Sequence, residues 1–288
     1  LARPHEYQVR CAEGRSVRAC PSRSGGVISV EFGEPAGRLL IGHGAGGVTV
    51  QADSPTLLLG HSDLDASMGR DVPRVFFALR FSTPVTLSPD GGGLWQEVRV
   101  DAPLVQVAIA TSYLSSEQAV AALDAEIGER SIASLSESAS EEWNSLLSRV
   151  RVRGASPDQL VSLYSSLYRL FLYPNAAHEH VDTATMHADI FASSRGRVDE
   201  PQPGTLYINN GFWDTYRTVW PAYALLSAAH AGKLIDGFLQ HARHTNGWMP
   251  RWSAPGAADI MVGTGSDNII GDAFVKGVPI SDTELAYD

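Results

Sequence analysis

Long apolar runs are absent from this 288-residue chain, and charged residues are few. No segment is a continuous apolar stretch of the ~20 residues that a membrane-spanning helix needs, so the sequence predicts no membrane span. Only 19% of the residues are charged and 44% are hydrophobic, which is enough to bury a sizeable core. The net charge of -10 and the pI of ≈ 5.3 argue against a nucleic acid or an anionic membrane surface as partner. Neutral glycans are compatible with this composition.

Cysteine is scarce, with two residues in the whole chain. The runs Tyr7 to Cys11 and Ser16 to Cys20 are typical of a β-hairpin that turns at Glu13-Gly14. In that hairpin Cys20 faces Tyr7, and the two cysteines lie roughly 13 Å apart by strand rise, beyond the ~7 Å Cα limit for a disulfide. We therefore expect two unpaired thiols, or partners outside this chain.

The hydrophobic pattern changes near Ser115. Before it, short runs rich in Val, Ile, Phe and Leu alternate with Gly, Pro, Ser and Asp, which indicates an antiparallel β-sandwich. The predicted strands are Val27 to Phe32, Leu39 to Ile41, Gly47 to Gln51, Thr56 to Gly60, Val75 to Phe81, Trp95 to Val100 and Val105 to Thr111. After Ser115 the period becomes helical. We predict a β-sandwich over 1–114, incomplete at its start, a helical linker over 115–155 and a helical domain over 156–288.

Several helix starts are marked by capping residues. Ser115 with Gln118 and Ser156 with Gln159 each fit a capping box, and Pro157 lies at a first helical position. Apolar residues then recur at helical spacing and predict one buried stripe: Leu160, Leu163, Tyr164, Leu167, Tyr168 and Phe171. A second stripe within the linker is Leu135, Ala139, Trp143, Leu146 and Val150. Two further predicted helices are Thr215 to Ala229, kinked or started near Pro221, and Lys233 to His244, after a break at Gly232.

The segment between Pro174 and Asn210 is polar and weakly periodic, which predicts a long loop. Its ionisable residues are His178, Glu179, His180, Asp182, His187, Asp189, Asp199 and Glu200. His178-Glu179-His180 alternates between two faces and lacks the i, i+4 pairing of a helical zinc motif, so solvated loop residues are the better interpretation.

The run from Gly211 to Pro221 packs four aromatic residues, a carboxylate and a guanidinium into one turn and helix start. An aromatic face covers the apolar side of a pyranose, while Asp214 and Arg217 make charge-assisted hydrogen bonds to hydroxyls. The alternative interpretation is that Trp213 and Tyr216 are core aromatics and that Asp214 lies in the favourable field of a helix N-terminus.

Two downstream segments extend this pattern. Gly247 to Trp252 repeats the aromatic and guanidinium chemistry, and Met261 to Asp267 leads into Gly271 to Gly277. With the string Trp213-Asp214-Thr215-Tyr216-Arg217 they resemble glycoside hydrolase family 92, the calcium-dependent exo-acting α-mannosidases. The resemblance continues in the same order over Tyr113 to Ala119, Trp143-Asn144 and Leu163 to Arg169, and it covers most of the chain from about Pro103 onward.

The resemblance implies a fold, a chemistry and a location. It implies a β-sandwich followed by an (α/α)6 barrel, so residues 156–288 are expected to be the first part of that barrel. It implies a bound Ca²⁺ that engages two hydroxyls of the terminal mannose, and hydrolysis with inversion by an acid and a base ~6.5 to 9.5 Å apart. It also implies a secreted or cell-surface enzyme that acts on mannose-containing glycans.

The candidate substrate-binding residues come from three segments: Trp213, Asp214, Arg217, Trp248, Arg251, Trp252 and Asp267. Asp214 is expected to accept from two neighbouring hydroxyls, and Trp213 to close or stack on the terminal sugar. For the residues beside Pro250, aromatic packing beneath a loop is an equal alternative. Ser266, Asp267 and Asp272 also fit the start of a helix. The calcium ligands stay unassigned.

The sequence also departs from the family pattern. Nothing in it resembles the segments that carry the family's acid and base or its glycine-rich N-terminal start. We therefore expect an internal piece of a longer protein, with the catalytic pair on the remaining segments of the same polypeptide. The alternative is that Asp214, Asp267 or Asp272 is catalytic in a shorter relative.

Two other functional classes stay open. Trehalases and related (α/α)6 glucosidases or disaccharide phosphorylases carry similar aromatic strings, and release of glucose or a need for phosphate would identify them. A non-catalytic carbohydrate-binding protein is the third class, and it would bind mannosides without hydrolysing them.

Overall fold

The computed structural model describes residues 1–42, 47–63, 74–89, 93–191, 200–245, 247–258 and 260–287. The described residues form two compact units, the first ending at Ser148 and the second beginning at Arg149. Most strands of the first unit belong to antiparallel sheets, and helices follow them along the chain, as the change of pattern near Ser115 predicts. Within the described ranges, no helix has the length and apolar character that a membrane crossing requires.

Two antiparallel sheets make up the β part of the first unit. Its strands are β1 (Ala2–Arg3), β2 (Glu6–Arg10), β3 (Ser16–Pro21), β4 (Gly25–Glu31), β5 (Gly37–Gly42), β6 (Val48–Ser54), β7 (Leu57–Ser62), β8 (Val75–Phe81), β9 (Val85–Leu87), β10 (Trp95–Val100) and β11 (Leu104–Ser112). In the described part of the chain, eight strands form one sheet in the order β1-β2-β3-β4-β11-β8-β7-β6, and three form another in the order β5-β10-β9. Each predicted strand overlaps an observed one.

The first hairpin differs from its predicted register by one residue. Tyr7 on β2 pairs with Ala19 on β3, whereas the sequence places it opposite Cys20. The cause is a 3-10 turn over Ala12–Gly14, which lengthens the connection so that the last ladder pair is Arg10 with Ser16. Both thiols are free, with Cys11 exposed and Cys20 buried.

Serine side chains cap the helices α1 (Ser116–Glu126), α2 (Ile132–Leu147) and α3 (Pro157–Leu170). Ser115, Ser131 and Ser156 each accept a hydrogen bond from the backbone N–H three residues later. At Ser156 the Gln159 side chain accepts from the cap backbone in return, which confirms the predicted capping box.

Alternation along β8 explains how the large sheet buries both faces. Phe77 and Leu79 belong to a hydrophobic cluster with Val98 of the smaller sheet. Ala78, one residue between them, belongs to a cluster with Leu123 of α1. Successive strand residues point to opposite faces, and a small alanine allows a helix to lie close to the sheet.

Hydrogen bonds to carboxylates hold α1 and α2 against the strands. Glu126 accepts from the backbone N–H and the hydroxyl of Ser24, at 2.8 and 2.6 Å. Glu6 on β2 accepts two bonds from Arg18, each 2.9 Å, and one of 2.7 Å from Ser136 on α2. Hydrogen bonds from Arg18 and then Ser136 lower the pKa of Glu6 to about 2.

The second unit contains helices connected by very short strands. After α3 its elements are β12 (Asn175–Ala176), β13 (His178–Val181), β14 (Ala184–His187), β15 (Gln202–Pro203), β16 (Tyr207–Ile208), β17 (Asn210–Gly211), α4 (Phe212–Thr215), α5 (Val219–His244), β18 (Trp252–Ser253), β19 (Ala257–Ala258), α6 (Gly265–Val275) and α7 (Thr283–Tyr287). The prediction of a loop from Pro174 to Asn210 is therefore wrong for its described residues. Strands of two to four residues are too short for periodicity to reveal. Asp199 lies outside the described residues.

Helix α5 corrects the predicted break at Gly232. The helix continues through this glycine and has its non-helical residue at Ser227. A Cβ at Gly232 would lie 1.9 Å from the carbonyl oxygen of Pro279, so the glycine serves a close backbone approach. Along the same helix, Tyr223, Leu234 and Phe238 are buried in the main core of the unit.

Candidate functional site

A short strand pair joins two of the three aromatic segments. β17 pairs with β18 in antiparallel register, with Gly211 opposite Trp252 and Asn210 opposite Ser253. The segment that begins at Gly211 therefore lies directly beside the end of the segment Gly247 to Trp252. Residues some forty positions apart in sequence become neighbours through backbone hydrogen bonds.

The absence of a side chain at Gly211 makes room for the carboxylate of Asp214. A Cβ at Gly211 would lie 2.3 Å from Oδ2 of Asp214 and 3.4 Å from Cδ2 of Trp252. The carboxylate thus folds back over the glycine, and the indole of Trp252 borders the same space. Asp214 and Trp252 are in this way brought together.

The third segment approaches through the first residue of α6. A Cβ at Gly265 would lie 2.8 Å from both the carbonyl carbon of Phe212 and the backbone nitrogen of Trp213. Asp267 lies in the first turn of this helix, where its Oδ1 accepts from the Ser266 hydroxyl at 3.3 Å. An acidic residue is favourable at a helix N-terminus, so the position of Asp267 is explained by helix structure.

Buried anchors fix the segment that carries Asp214. Phe212 and Trp220 are buried in the core of the unit. The hydroxyl of Thr215 donates to the Gly211 carbonyl at 2.7 Å and accepts from the indole N–H of Trp220 at 3.2 Å. The local backbone is therefore set by apolar packing and these two bonds, with no contribution from the charged groups.

The charged residues of the same segment face outward. Asp214 and Arg217 are exposed, and Trp213 is 40% exposed, so Trp213 is not a core aromatic. The guanidinium carbon of Arg217 lies 4.8 Å from the Tyr216 ring centroid and 5.8 Å from that of Trp213. These distances fit cation–π stacking. Neither Asp214 nor Arg217 has a hydrogen bond or ion pair within the part of the chain that the structure describes.

The remaining candidates form a looser group. Trp248 is 77% exposed, and its backbone carbonyl accepts from the Thr245 hydroxyl at 2.5 Å. Arg251 is exposed and donates to the Met261 carbonyl at 3.2 Å. Of this segment, Trp252 is placed beside the Asp214 carboxylate.

Sequence reasoning missed three residues that shape this site. Gly211 and Gly265 permit the close approaches described above. Gly211 begins the first recognised string and Gly265 lies within the string Met261 to Asp267, so their place in these strings is the available signal. Asn210 is buried on β17, and its Nδ2 has no hydrogen-bond partner among the described residues. Nothing in the sequence distinguishes it from its neighbour Asn209.

A metal site of acidic or imidazole side chains does not occur within the described ranges, where no group of three or more His, Cys, Asp or Glu residues could hold an ion. The arrangement around Asp214 offers one carboxylate acceptor, one guanidinium donor and three aromatic rings. This combination is suited to a neutral polyhydroxylated ligand.

One protein-family model matches the chain. The model of the "Glycosyl hydrolase family 92 catalytic domain" matches residues 118–288, more than half of the chain. No curated protein matches the sequence.

Solved structures match over almost the whole chain. The GH92 inverting mannosidase BT2199 from Bacteroides thetaiotaomicron matches with a TM-score of 0.88 and 24% identity, over 99% of this chain and 41% of that one. The GH92 α-mannosidase BT3965 from the same organism, in complex with mannoimidazole, matches with a TM-score of 0.83 and 17% identity, over 99% and 40%. The GH92-family glycosyl hydrolase ccman5 matches with a TM-score of 0.70 and 17% identity, over 97% of this chain and 40% of that one. At these identities the likeness shows the fold, and the chain spans about two fifths of the matched proteins.

Proposed function

The chain belongs to glycosyl hydrolase family 92, and we propose that it supplies part of the sugar pocket of a Ca²⁺-dependent, inverting, exo-acting α-mannosidase. The observation that carries the proposal is the pair of exposed charges at Asp214 and Arg217, set among aromatic rings and without an ion pair among the described residues. A carboxylate and a guanidinium only three residues apart are thus available to a ligand.

Each residue has a defined role in the proposed pocket. The carboxylate of Asp214 accepts hydrogen bonds from two neighbouring hydroxyls of a terminal mannose, and Arg217 donates to a third oxygen. Charge-assisted bonds of this kind are roughly twice as strong as neutral ones. Trp213 and Trp252 provide apolar faces for the C–H side of the pyranose. Stacking on Tyr216 and Trp213 restrains the guanidinium before the ligand arrives, which lowers the entropic cost of binding.

Hydrolysis requires groups that we place on the remaining segments of the same polypeptide. An inverting reaction needs a carboxylic acid on the leaving oxygen and a carboxylate that activates water, ~6.5 to 9.5 Å apart. Calcium, when bound, would polarise and hold sugar hydroxyls. We assign its ligands to segments outside the described residues and give no role to Asp267 or Asp272 in catalysis. Asp272 is engaged by Lys276 on α6.

The same proposal extends to architecture and location. The two sheets of the first unit correspond to the β-sandwich of the family, and the helices of the second to the first part of an (α/α)6 barrel. The whole protein acts on mannose-containing glycans outside the cell or at its surface.

The decisive experiment measures mannose release from α-mannosides by the intact gene product, with and without a calcium chelator. We expect chelation to abolish release and added Ca²⁺ to restore it. Asp214→Asn should reduce release by about 100-fold, as expected when a hydroxyl pair loses a charged acceptor. Asp158→Asn, the same change at an exposed carboxylate on α3, is the matched control and should retain activity.

Other outcomes identify the alternatives. Release of glucose or a requirement for phosphate would establish a trehalase-like or phosphorylase-like enzyme. Binding of mannosides without hydrolysis, with or without Ca²⁺, would establish a carbohydrate-binding protein. Full activity of Asp214→Asn would remove Asp214 from the pocket.

A further inference from the structure

Histidine side chains from a strand and a helix gather around Phe191 in the second unit. His244 of α5 stacks on the Phe191 ring with centroids 4.7 Å apart, and His241 meets it edge-on at 5.2 Å. His187 of β14 lies edge-on at 6.1 Å, and its own ring is 6.0 Å from that of His244. We refer to His187, His241 and His244 as the imidazole cluster.

Hydrogen bonds to carbonyl oxygens fix the position of one proton on two rings of the cluster. The Nδ1 of His187 lies 2.8 Å from the carbonyl oxygen of Ala188, and the Nε2 of His241 lies 3.1 Å from that of Tyr207. A carbonyl only accepts, so each of these nitrogens carries the proton. The Nε2 of His187 therefore bears a lone pair, and it is buried without a partner in the described part of the chain.

The surroundings of these rings oppose a positive charge. His187 is faced by His244, His178 of β13 and Asp189, while His241 is faced by His187 and His244. Burial lowers the pKa of both His187 and His241, in the latter to about 4, against the opposing effect of the two carbonyl bonds. Among these titratable neighbours, Asp189 favours a cation on His187, whereas the imidazoles would repel one when charged.

The cluster holds the strand that leads into the candidate site. The Tyr207 ring lies directly on α5, because a Cβ at Gly237 would come within 2.4 Å of its Cδ2. The Tyr207 carbonyl is fixed by His241. Tyr207 belongs to β16, and the chain then passes through β17 to Asp214.

We propose that the imidazole cluster is an acid-sensitive latch. At neutral pH the uncharged rings of His187 and His241 hold β14 and β16 against α5. Acidification places a proton on a buried ring, for which the site provides no solvation, and the two strands separate from the helix. The segment that begins at Gly211 loses its support at the same time. This inference concerns the second unit alone and does not rest on the proposed sugar chemistry.

The direction of the effect follows from linkage. Both rings have a folded-state pKa below the ~6.5 of an unfolded histidine, so the released state takes up protons first as the pH falls. The latch is fully stable above about pH 6.5 and weakens progressively toward about pH 4.

The test is amide hydrogen exchange of the intact protein at pH 7 and pH 4.5, corrected for intrinsic rates. In the wild type, peptides within 178–187 and 204–211 should exchange at least about tenfold faster at the lower pH, while peptides of β8 and β11 should not change. The double variant His187→Asn with His241→Gln keeps an N–H donor near each carbonyl and cannot be protonated in this range. Its exchange should change less than about twofold. His61→Asn, in the first unit, is the control and should behave as the wild type.

A second measurement needs no variant. Exchange of the imidazole C2 hydrogens, followed by mass spectrometry, reports the titration of each histidine in the wild-type protein. Titration of both His187 and His241 below the range of an exposed histidine supports the latch, and titration of either at or above the usual ~6.5 overturns it. Equal acid sensitivity of the wild type and the double variant would also overturn it, whatever sugar the protein binds.

Discussion

Two carboxylates, one in each unit, have opposite relations to the nearest arginine. Glu6 in the first unit is largely buried and receives two hydrogen bonds from Arg18 and one from Ser136. Asp214 in the second unit is exposed and receives none in the described ranges, although Arg217 is only three residues away. The difference separates charges that stabilise the fold from charges that are available to bind a ligand. A charge that is already fully hydrogen-bonded can contribute stability, and a charge left open beside aromatic rings can contribute binding.

Among the substitutions considered, removal of the Asp214 carboxylate is expected to have the largest effect on activity. Asp214→Ala should lower kcat/KM of the intact enzyme by about 100-fold or more, because a mannose with two hydroxyls would lose its charged acceptor. The free energy of unfolding should change by less than about 0.5 kcal/mol, since this exposed carboxylate has no hydrogen bond or ion pair among the described residues. Steady-state kinetics and chemical denaturation measure the two quantities. Normal turnover, or a marked loss of stability, would break the distinction between the two carboxylates.

Gly232→Ala tests whether close packing in α5 outweighs helix propensity. Propensity alone predicts stabilisation by up to about 1 kcal/mol. The Cβ would, however, lie 1.9 Å from the Pro279 carbonyl oxygen, and we expect destabilisation by about 3 kcal/mol from the forced backbone shift. Denaturant unfolding followed by tryptophan fluorescence gives the value.

Gly271→Ala is the matched control for that substitution. Gly271 lies in α6, it is exposed, and nothing lies within 4 Å of its added Cβ. Helix propensity should therefore determine the effect of this substitution, and we expect stabilisation by up to about 1 kcal/mol. Equal effects at the two glycines would contradict the close approach of Pro279.

Glu6→Gln tests the structural side of the comparison. The variant should lose about 2 kcal/mol of unfolding free energy at pH 7, because the charge-assisted bonds of Arg18 are weakened. The pKa of Glu6 is lowered from 4.5 to about 2, so this stabilisation is complete above about pH 4.5 and is lost as the pH falls toward 2. The difference between wild type and variant should therefore shrink across that window. A constant difference from pH 7 to pH 3 would show that the charge of Glu6 contributes nothing.

Sequence patterns predict the first unit well because its physics is local and periodic. Alternation of Phe77, Ala78 and Leu79 reveals a strand with two buried faces, and Ser156 with Gln159 reveals a helix start. The register of the first hairpin escapes prediction, since it depends on a 3-10 turn rather than on the strands.

In the second unit, sequence patterns do not predict features that depend on contacts between distant residues. Gly232 has a low helix propensity and suggests a helix end. In the structure it lies inside a helix, where the absence of a side chain lets the backbone of Pro279, distant in sequence, pack against it. The pairing of Gly211 with Trp252 is a tertiary contact between strands of two residues, too short to carry a pattern. The candidate residues are recognisable from their chemistry, and the structure brings Asp214 and Trp252 together and leaves Trp248 exposed.

Arg217→Lys is expected to give the smallest effect, and it tests whether the guanidinium shape matters as well as its charge. Lysine keeps the positive charge but loses the planar guanidinium, which stacks on Tyr216 at 4.8 Å and carries its donors in a fixed fork. We expect kcat/KM to fall by about fivefold to tenfold, equivalent to about 1 kcal/mol, mainly through a higher KM. The unfolding free energy should stay within about 0.5 kcal/mol of the wild type, because the positive charge at position 217 has no carboxylate partner in the described residues. If lysine supports full affinity, the charge alone matters at this position, and the aromatic rings around it contribute through packing rather than by orienting the donor.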